Sequence, residues 1–232
     1  MRLHTLIDDA YQTLLNQVDN TRVALLHPSS RYRSMLIARL INDSSYRVFY
    51  YALGPDDIKL QAFLASITHD MANQHPTFGR HINMLPRDVY ENPSDHFDTV
   101  LDTFVADLTE ISDDNFILVL DEYDRSDTAD DVQRFVEKLA GRLPGNGRMV
   151  INSRTLPRLP WVSMIAAKEA VMLEDSKVIQ TDFYDVVNNG NTSGNGGTPL
   201  EVFALGPGYV QVNSKPIETW EGHLPRLLFF FA

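Results

Sequence analysis

Three stretches of the chain carry residues whose types and spacing could do chemistry. The first is "NFILVLDEYD" (115–124), a run of large apolar residues that ends in Asp121 and Glu122. An aspartate at the C-terminal end of a buried parallel strand sits where open sheets bind ligands. In phosphate-loop ATPases it holds magnesium through water, and a neighbouring acid polarises the attacking water. Asp121 is therefore a candidate magnesium ligand, and Glu122 a candidate catalytic residue if the chain is active. A strand that merely ends in solvated acids is the alternative.

The second stretch is "VALLHPSSRYRSMLIARL" (23–40), which has the outline of a phosphate-binding loop: apolar run, small-residue turn, amphipathic helix. The pattern G-x-x-x-x-G-K-[S/T] works because its glycines let the backbone approach, its lysine neutralises phosphate and its hydroxyl reaches magnesium. With Arg33 at the lysine position, His27 and Tyr32 replace the glycines, and Ser34 keeps the hydroxyl. Arg33 retains the charge, but a planar guanidinium is not a compact ammonium. A bulky Tyr32 at positive φ would be strained, so the loop is expected to follow another path. Arg33 and Ser34 are thus candidate nucleotide-binding residues of a vestigial or variant loop, with Ser34 also a candidate magnesium ligand. A basic turn exposed to water reads equally from the same residues.

The third stretch is "GRMVINSR" (147–154), another strand, which ends in Asn152, Ser153 and Arg154. Arg154 could sense a γ-phosphate. These residues could equally cap the strand and pair with Asp121 or Glu122.

The rest of the composition narrows the field. The chain has 232 residues and a net charge of −11, which argues against coating nucleic acid through a broad basic face. It has no cysteine, which excludes disulfides, thiolate metal sites and cysteine nucleophiles. The histidines lack metal-hydrolase spacing, and no G-x-S-x-G elbow is present. The N-terminus has acids where a signal peptide needs an apolar core, and no apolar run approaches the ~18 residues of a membrane span. These features predict a cytoplasmic protein with no membrane partner.

The elements that would position the three stretches follow from apolar spacing. Leu3 to Val18 recurs at helical period, 22–26 reads as a strand covered on both faces, and Met35 to Ile41 as helix. Strands are predicted at 47–54, 115–124, 147–154 and 169–175, with helices following Leu60, Phe97 and Val132. Residues 73–95, with three prolines and little periodicity, read as a long irregular connection. Alternating strands and helices imply an α/β fold, a mainly parallel sheet with helices on both faces. The Asn/Gly/Ser/Thr-rich stretch 188–198 reads as a flexible linker between a domain at 1–187 and a fragment at 199–232.

With these residues in order, the first 175 residues resemble the ATPase domain of the signal-transduction (STAND) class, as in large LuxR-type transcriptional activators. The resemblance rests on the leading helix, "VALLHPSSRYRSMLIARL", "FILVLDEYD" and "MVINSRTLPRLPW". It implies a P-loop NTPase-like fold, with ATP and magnesium as the ligands of a working member. The family's Gly-Lys-Thr is replaced here by Tyr32-Arg33-Ser34. The tail, "LEVFALGPGYVQVNSKPI" with "LPRLLFFF", resembles the start of a SARP-type winged-helix domain. That implies DNA as the partner of a complete winged helix, whose reading helix is not among these residues.

Three functions stand open at this point. The first is a regulatory NTPase-like module of a bacterial transcriptional regulator, without ATP hydrolysis, serving as scaffold or switch. The second is an active ATPase with a variant phosphate loop. The third is a protein-interaction domain that uses no nucleotide; self-association is left open.

Overall fold

The computed structural model describes residues 3–26, 33–43, 45–111 and 113–173, and the strands within 200–216. Chain contacts divide the protein into two units, Arg2–Ser176 and, with Met1, Lys177–Ala232. The linker expected at 188–198 lies outside the described residues.

The larger unit opens with α1 (Leu3–Asn20), whose Ile7, Tyr11, Leu14 and Val18 are all buried, one stripe at helical spacing. Then follow β1 (Val23–Leu26), α2 (Arg33–Asp43), β2 (Arg47–Ala52) and α3 (Leu60–Gln74). Next come α4 (Arg87–Glu91), α5 (Phe97–Glu110), β3 (Phe116–Asp121) and α6 (Asp130–Arg142). The unit closes with β4 (Gly147–Asn152), α7 (Trp161–Ala166) and β5 (Ala170–Leu173). All five strands run parallel in the order β2-β3-β4-β1-β5. This is the α/β sheet expected from the sequence.

Strand alternation sorts the core into two layers. Phe116, Leu118 and Leu120 of β3, with Met149 and Ile151 of β4, pack against α3, α5, α6 and α7. Ile117, Val119 and Val150 face the other way, onto α1 and α2. The first layer is rich in aromatic rings. Phe135 meets Phe63, Phe97 and Phe104 edge to face, with centroids 6.1, 6.1 and 5.5 Å apart. Gly147 pairs with Phe116 across β3 and β4, and a Cβ there would lie 2.7 Å from the ring. Glycine is what lets these two strands keep their register.

Residues 73–95, expected to be irregular, contain α4 and a 3₁₀ turn at Ile82–Met84. Phe78, Ile82 and Val89 are buried here without a helical period, and polar clamping completes the order. The Asp107 carboxylate, on α5 and 1% exposed, accepts the Ile82 N–H at 3.0 Å. It also accepts the His81 N–H and interacts with His81 Nδ1, both at 2.9 Å. A buried carboxylate thus satisfies the free donors of a short helical turn, which no hydrophobic period could announce. The six-residue α7 was likewise not expected; Trp161 and Met164 bury its inner side.

At one rim of the sheet, β2 has no strand beyond it among the described residues. The Gln74 side chain takes that place for one residue: its Oε1 accepts the Tyr50 N–H at 2.8 Å, and its Nε2 donates to the Tyr50 carbonyl at 2.7 Å. In the smaller unit, β6 (Leu200–Phe203), β7 (Tyr209–Val212) and β8 (Lys215–Pro216) form an antiparallel sheet in that order.

Candidate functional site

The strand order dictates where a ligand site can lie. From β1 the chain crosses to β2 at the far rim, whereas β2, β3, β4 and β5 then succeed one another in the opposite direction. The connections leaving β1 and β4 therefore diverge, and the C-terminal ends of these two neighbours are where open sheets place a ligand crevice. Leu26 of β1 is level with Asn152 of β4, and Asp121 ends β3 on the other side of Asn152. By alternation, Asp121 and Asn152 project to the face that carries α2, the same face as Val119 and Val150.

Asp121 is enclosed by neutral donors. The Tyr50 hydroxyl, from β2, donates to Oδ2 at 2.7 Å. Asn152 Nδ2 donates to Oδ1 at 2.6 Å, and the Glu122 N–H donates to the same oxygen at 2.7 Å. Burial and the hydrogen bond to Asp121, with the charges of Asp121 and Glu122, push the Tyr50 pKa far up, so the phenol stays protonated and donates. Asn152 is 9% exposed, and its Oδ1 is buried and meets no donor.

Glu122 follows in the left-handed region, with φ 51°, which turns the chain from β3 into a 3₁₀ turn at Tyr123–Ser126. Such a conformation is uncommon for a residue with a Cβ. Its Oε2 forms an ion pair with Arg125 Nη2, a charge contact without hydrogen-bond alignment. Arg125 also donates from Nη1 to the Leu53 carbonyl at 3.0 Å, joining the ends of β2 and β3.

Arg154 turns away from both acids named for it and pairs with Asp124. Its N–H and Nε each donate to that carboxylate at 3.0 Å, and Nη2 lies 2.8 Å from Oδ2. Burial alone would raise the Asp124 pKa, but the Arg154 guanidinium and N–H outweigh it and hold the carboxyl below its ordinary value. Two more contacts continue the pattern. Thr155 Oγ1 donates to Asp127 at 2.8 Å, and Arg158 Nη1 to Asp130 at 2.6 Å. The segment after β4 is thereby strapped to the segment after β3.

Arg33 and Ser34 lie in the first turn of α2, Ser34 exposed and Arg33 half-buried. Arg33 Nη1 donates to the Ser153 carbonyl at 3.0 Å, so α2 reaches the end of β4. His27 and Tyr32 lie outside the described residues. The fold thus brings Arg33, Asp121, Asn152 and Ser153 to one crevice, and Arg154 to a clasp with Asp124. Tyr50 and Arg125 went unnoticed in the sequence. A tyrosine in an edge strand carries no signal until β2 is known to neighbour β3. Arg125 had one: it stands three residues beyond Glu122, on a turn.

Among the described residues no three His, Asp or Glu side chains converge as metal ligands. A cleft of about 540 Å³ lies between the first turns of α3 and α6, lined by Lys59, Pro93 and Asp131, and includes none of the crevice residues.

A parallel sheet flanked by helices, with an acid-ended strand separated from β1 by one strand, defines an α/β domain in a P-loop NTPase-like arrangement. The model of the nephrocystin 3 N-terminal family matches residues 8–154, more than half of the chain, and the chain belongs to that family, which is related to NTPase-like domains. No curated protein matches the chain. Among the described residues no helix is long and apolar enough to cross a membrane.

Proposed function

We propose that this chain is a regulatory NTPase-like module that does not hydrolyse ATP and acts as a scaffold or switch. One observation carries the reading: the polar groups that hydrolysis would need are each engaged with a neighbouring side chain. Asp121 accepts from Tyr50 and Asn152, Glu122 is paired with Arg125, and Arg154 with Asp124. A residue that activates water must present a free atom within hydrogen-bond reach of it. A γ-phosphate sensor must likewise leave its guanidinium open to the ligand. The loop residues Tyr32-Arg33-Ser34, in place of Gly-Lys-Thr, support the same reading.

The sequence resemblance supports a finer version. The module would stand before a winged helix in a bacterial transcriptional activator of STAND and SARP type, and DNA would be read by the complete winged helix. The antiparallel strands β6, β7 and β8 suit the opening of such a domain. The deciding experiment is phosphate release from magnesium–ATP by the purified chain beside its Glu122→Gln variant. Equal background rates are expected. Turnover that Glu122→Gln abolishes overturns the proposal.

A further inference from the structure

The turn that leads into β4 contains the dipeptide Asn146–Gly147, at the opposite end of that strand from Asn152. Asparagine before glycine is a labile pair, because a glycine nitrogen has no neighbouring side chain to hinder its attack. In that attack Gly147 N bonds to Asn146 Cγ, gives up its proton and expels ammonia, which leaves a succinimide ring. Water then opens the ring at either carbonyl. One product is aspartate; the other is an isoaspartyl link, with an extra methylene in the backbone.

The fold needs both residues. A Cβ at position 147 would lie 2.7 Å from the Phe116 ring, and Asn146 Nδ2 donates to the Asp114 carbonyl at 3.0 Å, just ahead of β3. The same contacts block the reaction. The Gly147 N–H, whose proton must leave, donates to the Pro144 carbonyl at 2.9 Å. The amide that must swing onto it is held by Asp114. The Asn146 carbonyl accepts the Phe116 N–H at 3.0 Å, and Arg148 Nη1 bridges the carbonyls of Gly145 and Gly147 at 2.8 and 2.9 Å. The backbone on both sides of Asn146 is pinned against the rotation that ring closure requires.

We propose that Asn146–Gly147 is a latent deamidation site, silent in the folded chain and released when the corner between β3 and β4 opens. The change is one-way. The isoaspartyl link lengthens the backbone immediately before the Gly147–Phe116 register, and the aspartyl product has no N–H for the Asp114 carbonyl. Chains that age while open are thereby kept from refolding.

The test incubates the full chain in mildly alkaline buffer, folded and in urea, and follows the peptide spanning Asn146 by mass spectrometry. Proteolysis separates it from Asn189–Gly190 and Asn195–Gly196, the other such pairs in the sequence. Because only opened molecules react, conversion at Asn146 should be at least about a hundredfold slower in the folded chain. Arg148→Met, which removes the bridge, should raise the folded rate about tenfold, the scale of one hydrogen bond, with far-UV circular dichroism to check the fold. Wild type in rising urea below its midpoint gives the same reading without a variant, and its rate should climb. Asn146→Gln, whose longer side chain closes the ring poorly, should stay unmodified. After removal of urea, the refolded fraction should be depleted of the modified peptide. Two results overturn the inference: folded and urea-exposed chains that convert equally fast, or urea-exposed chains that stay unmodified at Asn146. Equal modification in the refolded and unfolded fractions overturns the one-way step.

Discussion

Replacing Asp107 with alanine should cost more stability than any change to an exposed charge in this protein. The carboxylate is 1% exposed and accepts the backbone N–H groups of both His81 and Ile82. Alanine would leave these two donors without their acceptor. A buried donor left unpaired costs about 1–3 kcal/mol. His81 is 40% exposed at its side chain, so water can reach part of this turn and trim the loss. The expected total is therefore about 3 kcal/mol, a large share of the roughly 5–15 kcal/mol that holds a domain together. Urea unfolding followed by far-UV circular dichroism measures it. Amide exchange should show faster opening at residues 79–85 while the β3 and β4 strands keep their protection. Glu110→Ala is the control, because that side chain is 51% exposed and stands 3.5 Å from the same imidazole. It should change stability by less than about 0.5 kcal/mol. A loss below about 1 kcal/mol for Asp107→Ala, or unchanged exchange in the 79–85 turn, would refute the reasoning.

Two further outcomes follow from the same geometry. Phe135→Ala removes a ring that is fully buried and meets three others edge to face, so its unfolding free energy should fall by about 3–5 kcal/mol in the same urea assay. The Asp124–Arg154 clasp should be sensitive to acid. Because the Asp124 pKa is depressed in the fold, its contribution is complete above the ordinary carboxylate pKa of about 3.9 and is lost as pH falls through the lower folded value. The stability gap between wild type and Arg154→Leu should hold steady from pH 7 to pH 5 and narrow toward pH 3; a gap that widens in acid would reverse the assignment.

Legibility in the sequence followed the physics of each part. The parallel sheet was readable because β1 and β3 are nearly continuous apolar runs, and runs of that kind are buried on both faces. The acids at the end of β3 were readable for the same reason, since the strand's end marks the sheet's rim. Where order comes from polar contacts, single-sequence patterns were silent. Asp107 looks like any acid on an amphipathic helix until its donors are known, and the 81–84 turn it holds has no period of its own. The partners of the site residues were hidden by a different cause. Arg154 is one residue beyond Ser153, and a small rotation of the chain decides between Asp121, Glu122 and Asp124. Tyr50 reaches Asp121 only because β2 and β3 are neighbours in register, Ala52 level with Asp121. Order and register are properties of the sheet, and no local residue pattern encodes them.

The carboxamide of Gln74 has a wider consequence. A strand rim with unpaired N–H and C=O groups is a template on which another chain can add itself. By occupying both groups of Tyr50, near the middle of β2, Gln74 interrupts that template with a side chain of the same domain. The sheet is thereby given a direction of growth. Extension past β2 would have to displace an existing pair of hydrogen bonds, whereas β5 is bordered by no further strand among the described residues. A lineage that lengthened this sheet would find addition beside β5 the easier route. Gln74 thus acts as a selvedge: it finishes one border of the fabric so that new material is taken on at the other.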